Sequence, residues 1–165
     1  MRRQKFLPPG TFVVILSPGK KDLLEVVLIK DERGFWSLPG GRIDPGETPT
    51  TAARREALHK AGFCLGKAEY VGVFELQNPR GVVHLFCVEL DYTPNLVHGD
   101  HMIKATVHSI TKMGRFVSEP QIYAAQRLLI QWAFYWKSRR NRKAKIFWQP
   151  IPLRPLDEVL SQGVV

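Results

Sequence analysis

Two short runs near the start of the chain are almost wholly aliphatic and β-branched. Residues 13–16 read Val-Val-Ile-Leu and residues 23–29 read Leu-Leu-Glu-Val-Val-Leu-Ile, with the turn-forming SPGKKD between them. Runs of this length, bounded by Pro, Gly and Asp, predict two strands. Residues 34–41 follow as a loop with apolar Trp36 and Leu38, in which Pro39-Gly40-Gly41 is expected to extend neither strand nor helix. A helix is predicted from Pro49, because Thr48 suits the N-cap, Pro49 the first turn and Gly62 the stop. Ala52, Ala53, Glu56, Ala57 and Lys60 share one side of it.

Further strands are predicted over 70–76 and 82–90, joined as a hairpin through QNPRG, and over 104–110. Ser118-Glu119-Pro120-Gln121 matches a capping box and predicts a long helix over 120–137. Ile122, Ala125, Leu129, Trp132, Ala133 and Trp136 give it one wide apolar face, and Leu128, Ile130, Phe134 and Tyr135 carry apolar surface round the rest. Such a helix needs cover on more than one side, from the sheet and from the tail or a second subunit of a homodimer. Mixed strands with one helix between them and one after them predict an α/β (α+β) sandwich. The predicted organisation is one domain over 1–138 and a basic, proline-containing extension over 139–165, where QPIPLRP reads as extended and LDEVL as a helical turn.

Composition sharpens this picture in three places. With 165 residues, 44% of them hydrophobic, the chain can bury a real core as a single domain. No apolar run approaches the roughly 20 residues of a membrane span, and Pro8 and Pro9 interrupt the arginine-containing start, so a cytoplasmic chain without a secretory signal is expected. Cys64 and Cys87 lie far apart and outside any CxxC pairing, which favours buried free thiols over a disulfide or zinc framework.

The formal net charge of +9 favours phosphate, nucleic acid or an acidic protein partner. Much of it sits in KSRRNRKAK, where Lys137, Arg139, Arg140, Arg142, Lys143 and Lys145 lie between Trp136 and Phe147-Trp148. These cations can track phosphates while the aromatics stack on bases. Equally, they read as a solvated charge run at a helix end, where the dipole favours positive side chains.

The candidate chemistry lies in GRIDPGETPTTAARREALHKAGF, residues 41–63. A Gly-Gly turn feeding a helix suits a diphosphate, since small residues let backbone approach the ligand and the helix start favours negative charge. Gly40, Gly41 and Arg42 are the ligand-binding candidates there. Hydrolysing a diphosphate bridge also calls for magnesium held by carboxylates and retained waters. The helical face offers Glu56, His59 and Lys60, with Glu47 just ahead of it, and only two of these four are acids. A lysine ammonium about 4 Å from a divalent ion costs roughly 8 kcal/mol at an effective dielectric near 20. A lone imidazole is a poor magnesium ligand. Two readings of Lys60 stand open: an ordinary i,i+4 surface pair with Glu56, worth about 0.2–0.5 kcal/mol, or a lysine standing where a metal would be. In the second, Lys60 pairs with Glu56 or, beside His59, holds a ligand phosphate. His84, His98, His101 and His108 show no metal-ligand spacing.

The same stretch resembles the Nudix box, which runs Gly, five residues, Glu, seven residues, Arg-Glu, an aliphatic residue, any residue, Glu-Glu, any residue, Gly, aliphatic. Gly41, Glu47, Arg55, Glu56, Ala57, Gly62 and Phe63 fall on it at matching spacing, and Trp36-Ser37-Leu38-Pro39-Gly40-Gly41 is similar to its common approach. The looser likeness runs from about residue 11 to 138. The resemblance implies a Nudix-type α/β/α sandwich with a mixed central sheet, whose box helix presents acids to a nucleotide cleft. It implies Glu56, Glu47 and Arg55 as the catalytic set of an active member, with Glu56 and Glu47 as metal ligands and Arg55 bracing the loop. Mg2+ or Mn2+ is the cofactor implied for an active member, and an acid outside the box, Glu75, Asp100 or Glu119, is a further candidate.

His59-Lys60 replaces the acid pair of the box. The expectation is therefore a protein that binds a nucleotide-like small molecule with impaired hydrolysis. The alternatives are an active pyrophosphohydrolase of nucleoside diphosphates linked to another moiety, and a basic scaffold for nucleic acid or ribonucleoprotein.

Overall fold

The computed structural model describes residues 7–77, 80–99, 101–140 and the short strand Arg154–Pro155. In chain order the elements are β1 (Gly10–Pro18), β2 (Leu23–Lys30), β3 (Trp36–Ser37), β4 (Gly40–Arg42), α1 (Pro49–Ala61), β5 (Glu69–Gln77), β6 (Arg80–Glu89), β7 (Lys104–Thr111), α2 (Ala124–Arg140) and β8 (Arg154–Pro155). The strands form one mixed sheet, in which β1 runs parallel to β6 and the other pairings are antiparallel.

The aliphatic runs become strands whose alternate residues face opposite ways, the period-two rule of a pleated backbone. Val13, Ile15, Val27 and Ile29 pack with Ala53, Ala57, Ala61, Phe63 and Leu65 on the α1 side. Val14, Leu16, Val26 and Leu28 pack with Phe74, Leu85, Leu129, Trp132, Ala133 and Phe134 on the α2 side. Two cores on the two faces of one sheet make the α/β/α sandwich.

β1 and β2 pair only beside their turn, from Leu16↔Val26 to Pro18↔Leu24. Beyond it they part. β3 then lines β2 and β4 lines β1, through Phe12↔Gly40, Thr11↔Gly41 and Gly10↔Arg42. The expectation that Pro39-Gly40-Gly41 extends no strand is therefore corrected. Gly40 enters the ladder because it has no side chain: a Cβ there would lie 2.2 Å from the Thr11 carbonyl oxygen.

The second helix also departs from expectation. It begins at Ala124 rather than Pro120, and the capping box at Ser118 is not used. Gln121 and Tyr123 instead bond Trp36 on both sides of its peptide unit, Trp36 N–H to Gln121 O at 2.8 Å and Tyr123 N–H to Trp36 O at 3.3 Å. Pairing with β3 holds residues 121–123 extended, and a tertiary ladder outweighs a local capping signal. Trp132 is core as expected, and Trp136 packs against the same cluster half-buried. Cys87 is buried, and burial pushes its thiol up to about 12. Cys64 is exposed, because it follows the helix stop on the solvent side. No described helix is long and apolar enough to cross a membrane.

His108 on β7 sits edge-on to Trp36, at 4.4 Å between ring centroids, and to Phe116, at 6.4 Å. Its Nε2 is buried without a hydrogen-bond partner, Lys30 caps the Trp36 ring and Arg127 the Phe116 ring. Burial, helped by the Lys104 charge, lowers its pKa below the ordinary 6.5. The unfolded chain takes up that proton more readily than the native one. The stabilisation is thus complete above about 6.5 and is lost as pH falls towards the lowered value. We expect the thermal midpoint to drop between pH 7.5 and pH 5.5, and His108→Leu to reduce that drop. Differential scanning fluorimetry checks it, and an undiminished drop in the variant would assign the effect to other groups.

Candidate functional site

Helix α1 is fixed at both ends. Thr48, extended at the N-cap, accepts the Thr51 N–H at 3.1 Å. Gly62 takes the left-handed φ of 65° that favours glycine, and the Gly62 and Phe63 N–H groups return to the carbonyls of Leu58 and Ala57. Ala52, Ala53, Ala57 and Ala61 let the helix lie close to the sheet. Its buried face also carries one acid: Glu56 is 5% exposed.

The Glu56 carboxylate lies directly over Gly41, where a Cβ would meet its Oε1 at 2.6 Å. Arg55 Nη1 donates to Glu56 Oε1 at 2.7 Å, while Arg55 Nε and Nη2 hold the two oxygens of Glu47 at 2.9 and 3.0 Å. Arg55 Nη2 also donates to the Arg42 carbonyl at 2.8 Å and stands 3.5 Å from Asp44. A single guanidinium thus joins the loop to the helix, using the planar fork that suits carboxylates. The hydrogen bonds from Arg55 and then from the Asp44 N–H hold Glu47 below the usual carboxylate range. The same contact with Glu47, followed by Glu56, raises the Arg55 pKa further above its already high value.

Lys60 decides the character of the site. Its Nζ donates to the Gly40 carbonyl at 2.7 Å and lies 3.4 Å from Glu56 Oε2, an oxygen that is buried and has no hydrogen bond. The pair with Glu56 is therefore not an ordinary surface pair, because one partner is buried and the lysine bridges helix to β4.

Of the predicted site residues, the structure brings together Glu47, Arg55, Glu56, Lys60, Gly40 and Gly41, with Arg42 joining through its carbonyl. His59 is exposed on the helix and contributes only its carbonyl's neighbourhood to Gly99. Among the outside acids, Glu75 is held by Arg80 at 3.0 Å, Glu119 pairs with Arg127, and Asp100 lies outside the described residues. In the basic stretch, Lys137 pairs with Glu89 and Arg140 with Glu69, whereas Arg139 lies over the Tyr135 ring. Arg142, Lys143 and Lys145, with Phe147 and Trp148, lie outside the described residues.

These residues do not fit the magnesium ion that the box implies. Magnesium wants near-octahedral oxygens at about 2.0–2.1 Å. Here an ammonium takes the Gly40 carbonyl and faces one Glu56 oxygen, and a guanidinium takes the other Glu56 oxygen and both of Glu47. No group of three or more His, Cys, Asp or Glu among the described residues is placed to hold a metal ion.

The NUDIX domain family model matches residues 7–133, and the chain belongs to that family. It is 35% identical over 77 residues to a Bacillus subtilis (strain 168) protein provisionally named 8-oxo-dGTP diphosphatase; the match covers 47% of this chain and 50% of the relative. The chain thus spans about half the length of that curated relative. A MutT/nudix family protein from Enterococcus faecalis superposes with a TM-score of 0.65 at 17% identity, over 82% of this chain and 63% of that one. The NUDIX domain of Shewanella oneidensis NrtR, in complex with ADP ribose, superposes with a TM-score of 0.53 at 16% identity, over 61% of this chain and 71% of that one. At these identities the two structures speak for the fold alone.

Gly41→Ala tests the close approach. Its Cβ would displace the Glu56 carboxylate and pull it from Arg55 and Lys60. We expect a loss of about 1–3 kcal/mol in urea denaturation. Gly66→Ala, where an added Cβ meets nothing within 4 Å, should stay within about 0.5 kcal/mol.

Proposed function

We propose that the charged cluster where α1 meets β4 binds a nucleoside-diphosphate-type ligand, and that Lys60 supplies the positive charge a divalent ion would otherwise bring. The observation that carries this reading is the Lys60 ammonium seated 2.7 Å from the Gly40 carbonyl and 3.4 Å from Glu56. An ammonium has three donors; Gly40 takes one and Glu56 attracts a second, which leaves the third for a phosphate oxygen. Gly40 and Gly41 keep the backbone bare for close approach. Turnover is slow in this reading, because Glu47 and Glu56 are engaged by Arg55 and Lys60.

The second reading is an active pyrophosphohydrolase, and the comparisons favour it. It rests on family membership and on the name of the Bacillus subtilis relative. Glu47, Glu56 and an acid outside the box would then work with Mg2+ or Mn2+ once Lys60 had swung aside. A nucleic-acid role through the basic stretch has less support, since Lys137 and Arg140 already face carboxylates.

Two measurements separate the readings. Release of nucleoside monophosphate from ADP-ribose, nucleoside triphosphates and dinucleoside polyphosphates is assayed by chromatography with Mg2+ or Mn2+, with Glu56→Gln as control; turnover that the control abolishes establishes the enzyme. The double substitution His59→Glu with Lys60→Glu is expected to create metal binding, read as a magnesium-dependent rise of the thermal midpoint that the unsubstituted chain lacks. A double variant indifferent to metal would refute the account of Lys60.

A further inference from the structure

Two long polar side chains are buried among the described residues, Glu56 on α1 and Gln126 on α2. They reach the same strip of chain from opposite faces of the sheet. Glu56 lies over Gly41, and Gln126 Oε1 accepts the Leu38 N–H at 3.2 Å. Leu38 needs that acceptor. It crosses the gap where β1 and β2 part, after the end of β3 at Ser37 and before the start of β4 at Gly40, so its N–H has no ladder partner. Leu38 is fully buried, and a buried N–H left without an acceptor is among the costlier defects a fold can carry.

The strip is held from both sides at this point. On the β1 side, the Val13 N–H donates to the Pro39 carbonyl at 3.0 Å, and Phe12 is opposite Gly40. On the α2 side, the bonds of Gln121 and Tyr123 stop at Trp36, and the Gln126 side chain is the anchor nearest to Gly40. Gly40 has no side chain of its own to hold it. Without the Gln126 oxygen the Leu38 peptide turns towards another acceptor, and Pro39 alone separates it from Gly40. The Gly40 carbonyl is the seat of the Lys60 ammonium, at 2.7 Å.

We propose that Gln126 is a positioning residue for the charged cluster: from the far side of the sheet it holds the backbone on which the Lys60 ammonium is seated, and thereby sets how well the cluster takes an anion. The effect on affinity rests on the nucleotide-binding reading. An amide suits the role, since its oxygen accepts without bringing a charge that the core would have to pair.

NMR of the nitrogen-labelled chain tests the position, and calorimetric titration with inorganic pyrophosphate tests the affinity. The Lys60 ammonium signal is identified by its loss in Lys60→Met. Gln126→Met keeps the shape and removes the acceptor. It should speed exchange of the Leu38 amide, shift the Lys60 signal and weaken pyrophosphate about five-fold, the equivalent of one modest hydrogen bond. Gln126→Glu, which keeps an acceptor oxygen in either protonation state, should bring signal and affinity back towards those of the unsubstituted chain. Phe134→Leu loosens the same helix beside Gly114, away from the strip, and should leave the Lys60 signal in place. From the other end, Lys60→Met should shift the Leu38 amide and the Gln126 side-chain amide, a measurement that stands even where Gln126→Met does not fold. A Lys60 signal unmoved in Gln126→Met, or moved as far in Phe134→Leu, overturns the positioning role. So does a Lys60→Met spectrum in which both amides stay still. A shifted signal with unchanged pyrophosphate affinity overturns the effect on affinity. Pyrophosphate that fails to bind the unsubstituted chain overturns the nucleotide-binding reading instead, and the ammonium signal still decides what holds Lys60.

Discussion

A helix and a sheet can exchange side-chain bonds at backbone distance only where one of them has no side chains in the way. Gly40 and Gly41 meet that condition. Gly40 lets β4 press onto the Thr11–Phe12 backbone, and Gly41 lets the Glu56 carboxylate settle on the strand. Every charged group of the cluster takes its position from this approach. Glu56 is aligned with Arg55 because it is pinned over Gly41, Arg55 reaches Glu47 and the Arg42 carbonyl from there, and Lys60 spans from the next helical turn to Gly40.

The cluster is close to electrical balance. Arg55 and Lys60 face Glu47 and Glu56, with Asp44 at the rim. In an octahedral metal site the carboxylates would outnumber the cations and the ion would restore neutrality. Here lysine restores it covalently. A charge fixed to the chain cannot leave with a product or be exchanged for another ion, and it cannot lower the pKa of a bound water as a metal does. The positive charge of this cluster is therefore part of the chain, set by the residue at one helical position.

Much of the fold could be read from residues alone, because the informative patterns are local. The aliphatic runs at 13–16 and 23–29, with the turn residues around them, gave both strands, and Thr48, Pro49 and Gly62 gave α1 its limits. β3, β4 and the start of α2 escaped for a common reason: each exists through pairing with a distant segment, Trp36 with Ile122 and Gly40 with Phe12. The nearness of Glu47 and Glu56 followed from helical spacing and the loop ahead of it, and the bracing role of Arg55 from the resemblance to the Nudix box. Lys60 could be recognised as a misplaced charge, yet its bond to Gly40 depends on how closely β4 lies to the helix.

The strip from Trp36 to Gly41 touches both halves of the sandwich. The Leu38 N–H bonds the buried Gln126 side chain of α2 at 3.2 Å, the Trp36 peptide bonds the segment leading into that helix, and the Gly40 carbonyl bonds Lys60 of α1. It works as a tie-rod: six residues couple the two helices across a sheet that otherwise separates them. A shift of the Gly40 carbonyl loads this rod, and its far anchor is the buried side-chain oxygen of Gln126, on the other side of the sheet.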